Sequence, residues 1–142
     1  MLKGISSVLS PELLKILMEM GHGDEIVIGD GNFPASSLAK RLVRCDGHSV
    51  LDLLPAILKL FPLDGFVEKP VALMEVAGKK DKDPEIWDEY KKIIDGYEPE
   101  NNGIEFVERF AFYERSKNAY AIVATGEKAI YANIILKKGI IQ

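Results

Sequence analysis

Ile26-Val27-Ile28 is the part of this chain that most restricts its fold. Three β-branched residues follow one another without a polar break. Turn-forming residues lie on both sides: Gly21-His22-Gly23-Asp24 before them and Gly29-Asp30-Gly31-Asn32 after them. A strand with one wet face alternates apolar and polar residues, whereas a short unbroken run belongs to a strand covered on both faces. Such a strand needs helices above and below its sheet. The chain is therefore read as α/β: a single domain over residues 1–142, with a central mostly parallel or mixed sheet and helices packed on its faces. Its 142 residues suit one such unit.

The helices announce themselves by their starts. Ser10-Pro11-Glu12 places a serine N-cap, a proline at the first helical position and an acid in the first turn. Leu13, Leu14, Leu17 and Met18 follow at helical spacing, and Gly21 or Gly23 is expected to end the helix in the left-handed region. Ser49 caps a second helix with Leu51, Leu54, Leu58 and Phe61 towards one face. Pro55 conflicts with a regular helix interior, unless the helix begins near Asp52 and Pro55 falls in its first turn. Asp83-Pro84-Glu85 repeats the start signal ahead of Trp87, Tyr90, Ile93 and Ile94. A further helix is expected from Glu108 to Lys117, carrying Phe112 and Tyr113, and a short helical turn after Phe33-Pro34. Strands are expected at Leu42–Arg44, Pro70–Val76, Ile104–Val107, Ala119–Ala124 and Tyr131–Leu136. Residues 78–82 and 96–103 read as loops, the second being the expected flexible segment.

Several function classes are disfavoured. No run of 18 apolar residues could span a bilayer, and the first residues lack the apolar region of a signal peptide. Cys45 stands alone, which rules out an internal disulfide and fits a reducing cytoplasm. The net charge of −4, with both signs dispersed, gives no support to a nucleic-acid partner. One cysteine and two separated histidines do not make a zinc set, and phosphate-loop, dinucleotide and nucleophile-elbow patterns are missing. Proton transfer, or binding without chemistry, is what remains.

His22 is the leading candidate for proton transfer, since histidine titrates near neutral pH. The competing reading is a histidine at a helix C-terminus, held there by the dipole. His48, after Asp46-Gly47, reads as an exposed turn residue. Asp24 and Asp30 could orient a histidine or accept from hydroxyls, and Asp30 follows a strand, where open α/β sheets bind ligands. A strand separates His22 from Asp30 by well over ~10 Å, so a shared site needs turns or a second chain to unite them. Arg109 and Arg115 flank Phe110-Ala111-Phe112-Tyr113 and offer either donor forks or surface pairs with Glu108 or Glu114. Tyr131 and Asn133 lie two apart and would share one side of a strand.

Taken in order, Met1–Ile5, Ser10–Leu14, Gly21–Val27, Asp30 with Asn32-Phe33-Pro34, Arg109–Arg115, Ala124–Glu127 and Tyr131–Gly139 resemble one family along nearly the whole chain. It is the family of small sugar-isomerising proteins that holds the L-fucose mutarotases and the D-ribose pyranases. The resemblance implies a ring-forming α/β subunit, a homodecamer of two pentameric rings with sites near subunit contacts, and a cytoplasmic isomerase. It implies interconversion of α- and β-L-fucose without a cofactor or metal. By motif, His22 takes the proton-donor position, and Asp30, Arg109, Tyr131 and Asn133 take the substrate positions. Ala132 stands where many fucose relatives have glycine, and Gly29 and Gly31 vary the loop around the aspartate. Alternatives are the same fold acting on D-ribose, a non-catalytic sugar-binding protein, and a structural ring protein.

Overall fold

The computed structural model describes residues 1–78 and 82–142. Among these residues, one sheet of six strands carries the fold, and it is mixed. The strands are β1 (Glu25–Gly29), β2 (Leu42–Cys45), β3 (Val71–Met74), β4 (Ile104–Val107), β5 (Ala121–Thr125) and β6 (Ile134–Lys137), in spatial order β2-β5-β1-β6-β3-β4. β2, β5 and β1 pair in parallel, as do β3 and β4. β6 lies between the two groups, antiparallel to β1 on one side and β3 on the other. All five other strands therefore point the same way.

Both faces of the sheet are dry, as the Ile26-Val27-Ile28 run requires. Ile26, Ile28, Leu73, Val123, Ile134 and Leu136 pack on one face against α1 (Pro11–Glu19), α3 (Val50–Leu58) and α4 (Ile86–Tyr97). The intervening residues Val27, Ala72, Ile122 and Ile135 pack on the other, beneath Phe33, Ala35 of the short α2 (Ala35–Leu38) and Phe112 of α5 (Arg109–Asn118). Strand alternation thus divides the core in two. At about 25 cal/mol per Å² of apolar surface buried, this double burial is the main source of the sheet's stability.

The local signals hold, with differences at the edges. Ser10 accepts from the Leu13 N–H, and Ser49 forms a reciprocal cap with Asp52. Glu108 accepts from the N–H groups of Phe110 and Ala111, which hold its carboxyl below the usual range. In α1 the buried face is Leu13, Ile16 and Leu17, while Met18 is 85% exposed. The helix stops at Glu19 with Met20 extended rather than in a left-handed glycine cap, and Gly23 takes the positive φ three residues later. There Lys138 Nζ donates to the carbonyls of Leu17 and Met20, 2.6 Å each, so a lysine closes the helix end. In α3, Pro55 sits inside the helix, because Ser49 and Asp52 fix its start at Val50. Leu51 faces outward, and Leu53, Leu54 and Ile57 are buried in its place.

α4 begins at Ile86, after a turn in which Pro84 and Glu85 carbonyls accept from Trp87 and Asp88; no side chain caps it. β3, β5 and β6 are shorter or shifted relative to expectation. The expected loop at 78–82 lies in part outside the described residues. The connection at 96–103 is tied down: Asn101 Nδ2 donates to Asp95 and to the Glu98 carbonyl, and Asn102 Nδ2 to the Val67 carbonyl.

β6 continues as a template beyond its last strand residue. The Gly23 N–H donates to the Lys138 carbonyl and the Lys138 N–H to the Asp24 carbonyl. On the other side, the Asp64 N–H donates to the Lys137 carbonyl and the Gly139 N–H to the Pro62 carbonyl. Gly139 lies so close to this second segment that a Cβ would stand 2.5 Å from the Leu63 oxygen. Gly139→Ala is expected to cost about 1–3 kcal/mol of folding stability in urea denaturation. Gly65→Ala, with nothing within 4 Å of the added carbon, should stay within about 0.5 kcal/mol of the parent.

Candidate active site

Parallel strands that point one way end at one edge, and the loops that follow them meet there. Asp30 follows β1, Met74 ends β3 and Arg109 follows β4. β6 runs the opposite way, so the residues just before it reach the same edge. Asp30, Asn32, Phe33, Met74, Arg109, Tyr113, Ile130, Tyr131 and Asn133 together line a cleft of about 180 Å³. Four of the five expected site residues, Asp30, Arg109, Tyr131 and Asn133, are thus gathered.

Asp30 is buried, and its backbone N–H donates to Asn133 Oδ1 at 2.8 Å. An N–H can only donate, so this contact fixes the Asn133 carboxamide with its NH2 as the group offered to the cleft. The Asp30 carboxylate accepts from the Asn32 N–H at 2.9 Å. Burial pushes the Asp30 carboxyl above its usual range; the Asn32 N–H opposes this and Glu127 reinforces it. Arg109, the first residue of α5, holds its guanidinium beside the rings of Phe110 and Tyr113, 5.3 and 5.6 Å away, and its Nε donates to the Tyr113 hydroxyl at 3.3 Å. Phe33 braces Tyr113 and Phe112 edge-on.

Tyr131 and Asn133 lie ahead of β6, not on it, so the same-side strand argument fails for them. Their convergence has another cause. Tyr131 has φ of 56°, the one positive value among the described non-glycine residues. α4 holds this turn from behind: Trp87 Nε1 donates to the Tyr131 carbonyl at 2.8 Å and the buried Tyr90 hydroxyl to the Ala132 carbonyl at 2.7 Å. The Tyr131 hydroxyl accepts from the Ala77 N–H. These two supporting residues read from sequence only as an apolar helix face. Met74, at the end of β3, and Ile130, in the turn before β6, also escaped notice, because a lone apolar side chain carries no local mark of a site.

Gly29 and Gly31 tighten the aspartate loop. A Cβ on Gly29 would lie 2.7 Å from Phe33, and one on Gly31 would lie 3.1 Å from the Glu127 carbonyl. The facing loop is fixed in turn: Thr125 Oγ1 donates to the Gly29 carbonyl, and the Glu127 carboxylate accepts from Val50, Lys128 and Ala129.

The other candidates lie elsewhere. His22 is at the far end of β1, and five strand residues put it roughly 16 Å or more from Asp30 within one subunit. Its Nε2 lies 3.1 Å from Asp64 Oδ1, and its side chain is 46% exposed. Asp24 accepts from the Gly21 N–H and shapes that same turn. Arg115 pairs with Glu25 at 2.7 Å and with Glu105, not with Glu108 or Glu114, and Lys137 joins Glu25 at 3.0 Å. His48 is half-buried and contributes main-chain bonds to Cys45 and Gly126. Among the described residues, no group of three or more His, Cys, Asp or Glu side chains is placed to share a metal ion, and no helix is long and apolar enough to cross a membrane.

The chain and its fold have known relatives. The model of the RbsD / FucU transport protein family matches residues 3–141. The chain belongs to that family. A fucose mutarotase from Danio rerio is 51% identical over 146 aligned positions, covering 99% of this chain and 94% of that protein. The solved fucose mutarotase of Streptococcus pneumoniae, in complex with L-fucose, superposes with a TM-score of 0.94 at 52% identity, over 99% of this chain and 100% of that one. Bacillus subtilis RbsD complexed with D-ribose is more distant within the RbsD / FucU family, with a TM-score of 0.72 at 26% identity and full coverage of both chains.

Burial of Asp30 has a measurable consequence for stability. A carboxyl whose pKa is raised on folding is neutral in both states below about pH 3.9, and its ionisation opposes folding as pH rises through the folded value. Asp30→Asn cannot ionise and keeps an acceptor for the Asn32 N–H. It is expected to match the parent in melting temperature below about pH 3.9 and to exceed it at pH 7. A variant less stable than the parent at pH 7 would contradict this account.

Proposed function

We propose that this protein is an L-fucose mutarotase, a cofactor-independent isomerase that interconverts the α and β anomers of L-fucopyranose in the cytoplasm. The observation that carries the proposal is the pairing of the polar cleft with full-length likeness to a fucose mutarotase bound to L-fucose. The whole chain, residues 1–142, serves as one mutarotase domain. Asp30 accepts hydrogen bonds from sugar hydroxyls, and Asn133, Arg109 and Tyr131 fix the remaining ones. Met74, Tyr113 and Ile130 supply the apolar wall that the sugar's C6 methyl group requires. D-Ribose has no such methyl group, which favours fucose as the substrate.

Exchange of anomers requires the C1 hydroxyl to lose a proton while the C1–O5 bond opens and O5 gains one. Rotation about the C1–C2 bond and the reverse steps then give the other anomer. Histidine suits both directions, and positioned proton transfer contributes roughly 10²–10⁴-fold. His22 fills this role from a neighbouring copy. It is half-exposed at the edge opposite the cleft, so a head-to-tail contact brings one subunit's His22 to the next subunit's Asp30. Such contacts close into rings when the rotation allows, in keeping with a decamer of two pentamers.

Saturation-transfer NMR at the H1 resonances is expected to reveal protein-dependent exchange for L-fucose well above that for D-ribose. Binding of fucose without faster exchange would favour a sugar-binding protein instead. His22→Gln should lower the exchange rate about 100-fold with the oligomer intact. Co-expressed His22→Gln and Asp30→Asn subunits should regain about a quarter of the parental activity, since random mixing completes one contact in four. Mixed assemblies as inactive as each parent variant would rule out a site shared between subunits.

A further inference from the structure

His22 does not stand alone. Its Nε2 meets Asp64 Oδ1 at 3.1 Å, and that oxygen also accepts from the Phe66 N–H at 3.0 Å. The Asp64 side chain is only 3% exposed. Its neighbour Phe66 lies against the imidazole with ring centroids 5.6 Å apart. The two partners are 42 residues apart in sequence, yet one piece of backbone holds both. Residues 137–139 bond to Gly23 and Asp24 on one side and to Pro62 and Asp64 on the other. The absence of room for a Cβ at Gly139 lets residues 137–139 approach Leu63 and Asp64 closely. Two loops registered on a common strand are a built arrangement, unlike a chance surface pair, which contributes little.

We propose that Asp64 is a positioning residue for the mutarotase reaction: it holds His22 as the Nε2–H tautomer and thereby makes Nδ1 the nitrogen that exchanges a proton with the sugar. The inference rests on the function proposed above. An ionised carboxylate only accepts, so the nitrogen facing it must carry hydrogen. Burial works against the Asp64 charge, but the Phe66 N–H and the His22 ring outweigh it and hold the carboxyl below its usual range. In neutral His22 the lone pair then belongs to Nδ1. Asp64 does not line the sugar cleft. It acts through the histidine alone, by fixing its tautomer and ring orientation, as in other carboxylate–histidine pairs.

The test is solid-state ¹⁵N NMR of histidine-labelled protein, which tolerates a large assembly. The chain has two histidines, so the His48→Gln spectrum assigns His22. The unmodified protein is expected to show His22 as the Nε2–H tautomer. Asp64→Asn, whose carboxamide also donates, is expected to add the Nδ1–H tautomer. It should lower kcat for fucose exchange about 10-fold, short of the loss expected for His22→Gln, while KM stays within about twofold. Asp64→Glu, which keeps an acceptor, should recover part of the rate. His22 found as Nδ1–H in the unmodified protein overturns the proposal even if the Asp64 variants fail to fold. So does an Asp64→Asn protein that exchanges fucose at the parental rate. Absence of exchange in the unmodified protein would instead overturn the mutarotase reading itself, and this role with it.

Discussion

The antiparallel pairing of β6 with β1 governs where everything else lies. Ile28 faces Ile134 and Glu25 faces Lys137, so the start of β6 adjoins the end of β1 and the end of β6 adjoins its start. Residues 131–133 are thereby set against Asp30, and residues 137–139 against Gly23 and Asp24, beside His22. A parallel β6 would have sent the tyrosine–asparagine turn to the wrong edge of the sheet. The same strand also joins β1 to β3, with Leu136 opposite Val71. Two parallel groups become one sheet only through it.

Polar groups in the cleft are held by bonds made behind them. Asn133 is oriented by the Asp30 N–H, the Tyr131–Ala132 turn by Trp87 and Tyr90, and the aspartate loop by Thr125 and two close-packed glycines. Each bond satisfies a main-chain group that burial would otherwise leave unpaired, a loss of about 1–3 kcal/mol. Preorganisation of this kind lets the site keep a buried carboxylate and a left-handed tyrosine, both of which cost stability on their own.

The sheet and its double burial were legible in Ile26-Val27-Ile28, and the caps at Ser10 and Ser49 in their own side chains, because these signals are local. The face of α1 was not. Leu13, Leu14, Ile16, Leu17 and Met18 make that helix apolar over a wide arc, and only the position of the sheet selects Ile16 over Met18. Pro55 misled for a similar reason: a lost backbone bond is outweighed by burial of Leu53, Leu54 and Ile57 around it. Tyr131 and Asn133 were identified as a pair, but a left-handed turn brings them together, not strand alternation. Asp64 carried no signal at all, since nothing in Leu63-Asp64-Gly65 points to a histidine 42 residues earlier.

β6 is central in space and last among the strands in sequence. During synthesis, β1 and β3 emerge long before the segment that fits between them, and their facing edges stay open until residue 137 has been made. Pairings of more than 100 residues' separation form slowly, because loop closure precedes their reward. Both the cleft at Asp30 and the His22–Asp64 pair depend on that final insertion. A nascent chain therefore lacks both arrangements until β6 exists, and the exposed edges of the incomplete sheet are the surfaces on which a chaperone would have to act.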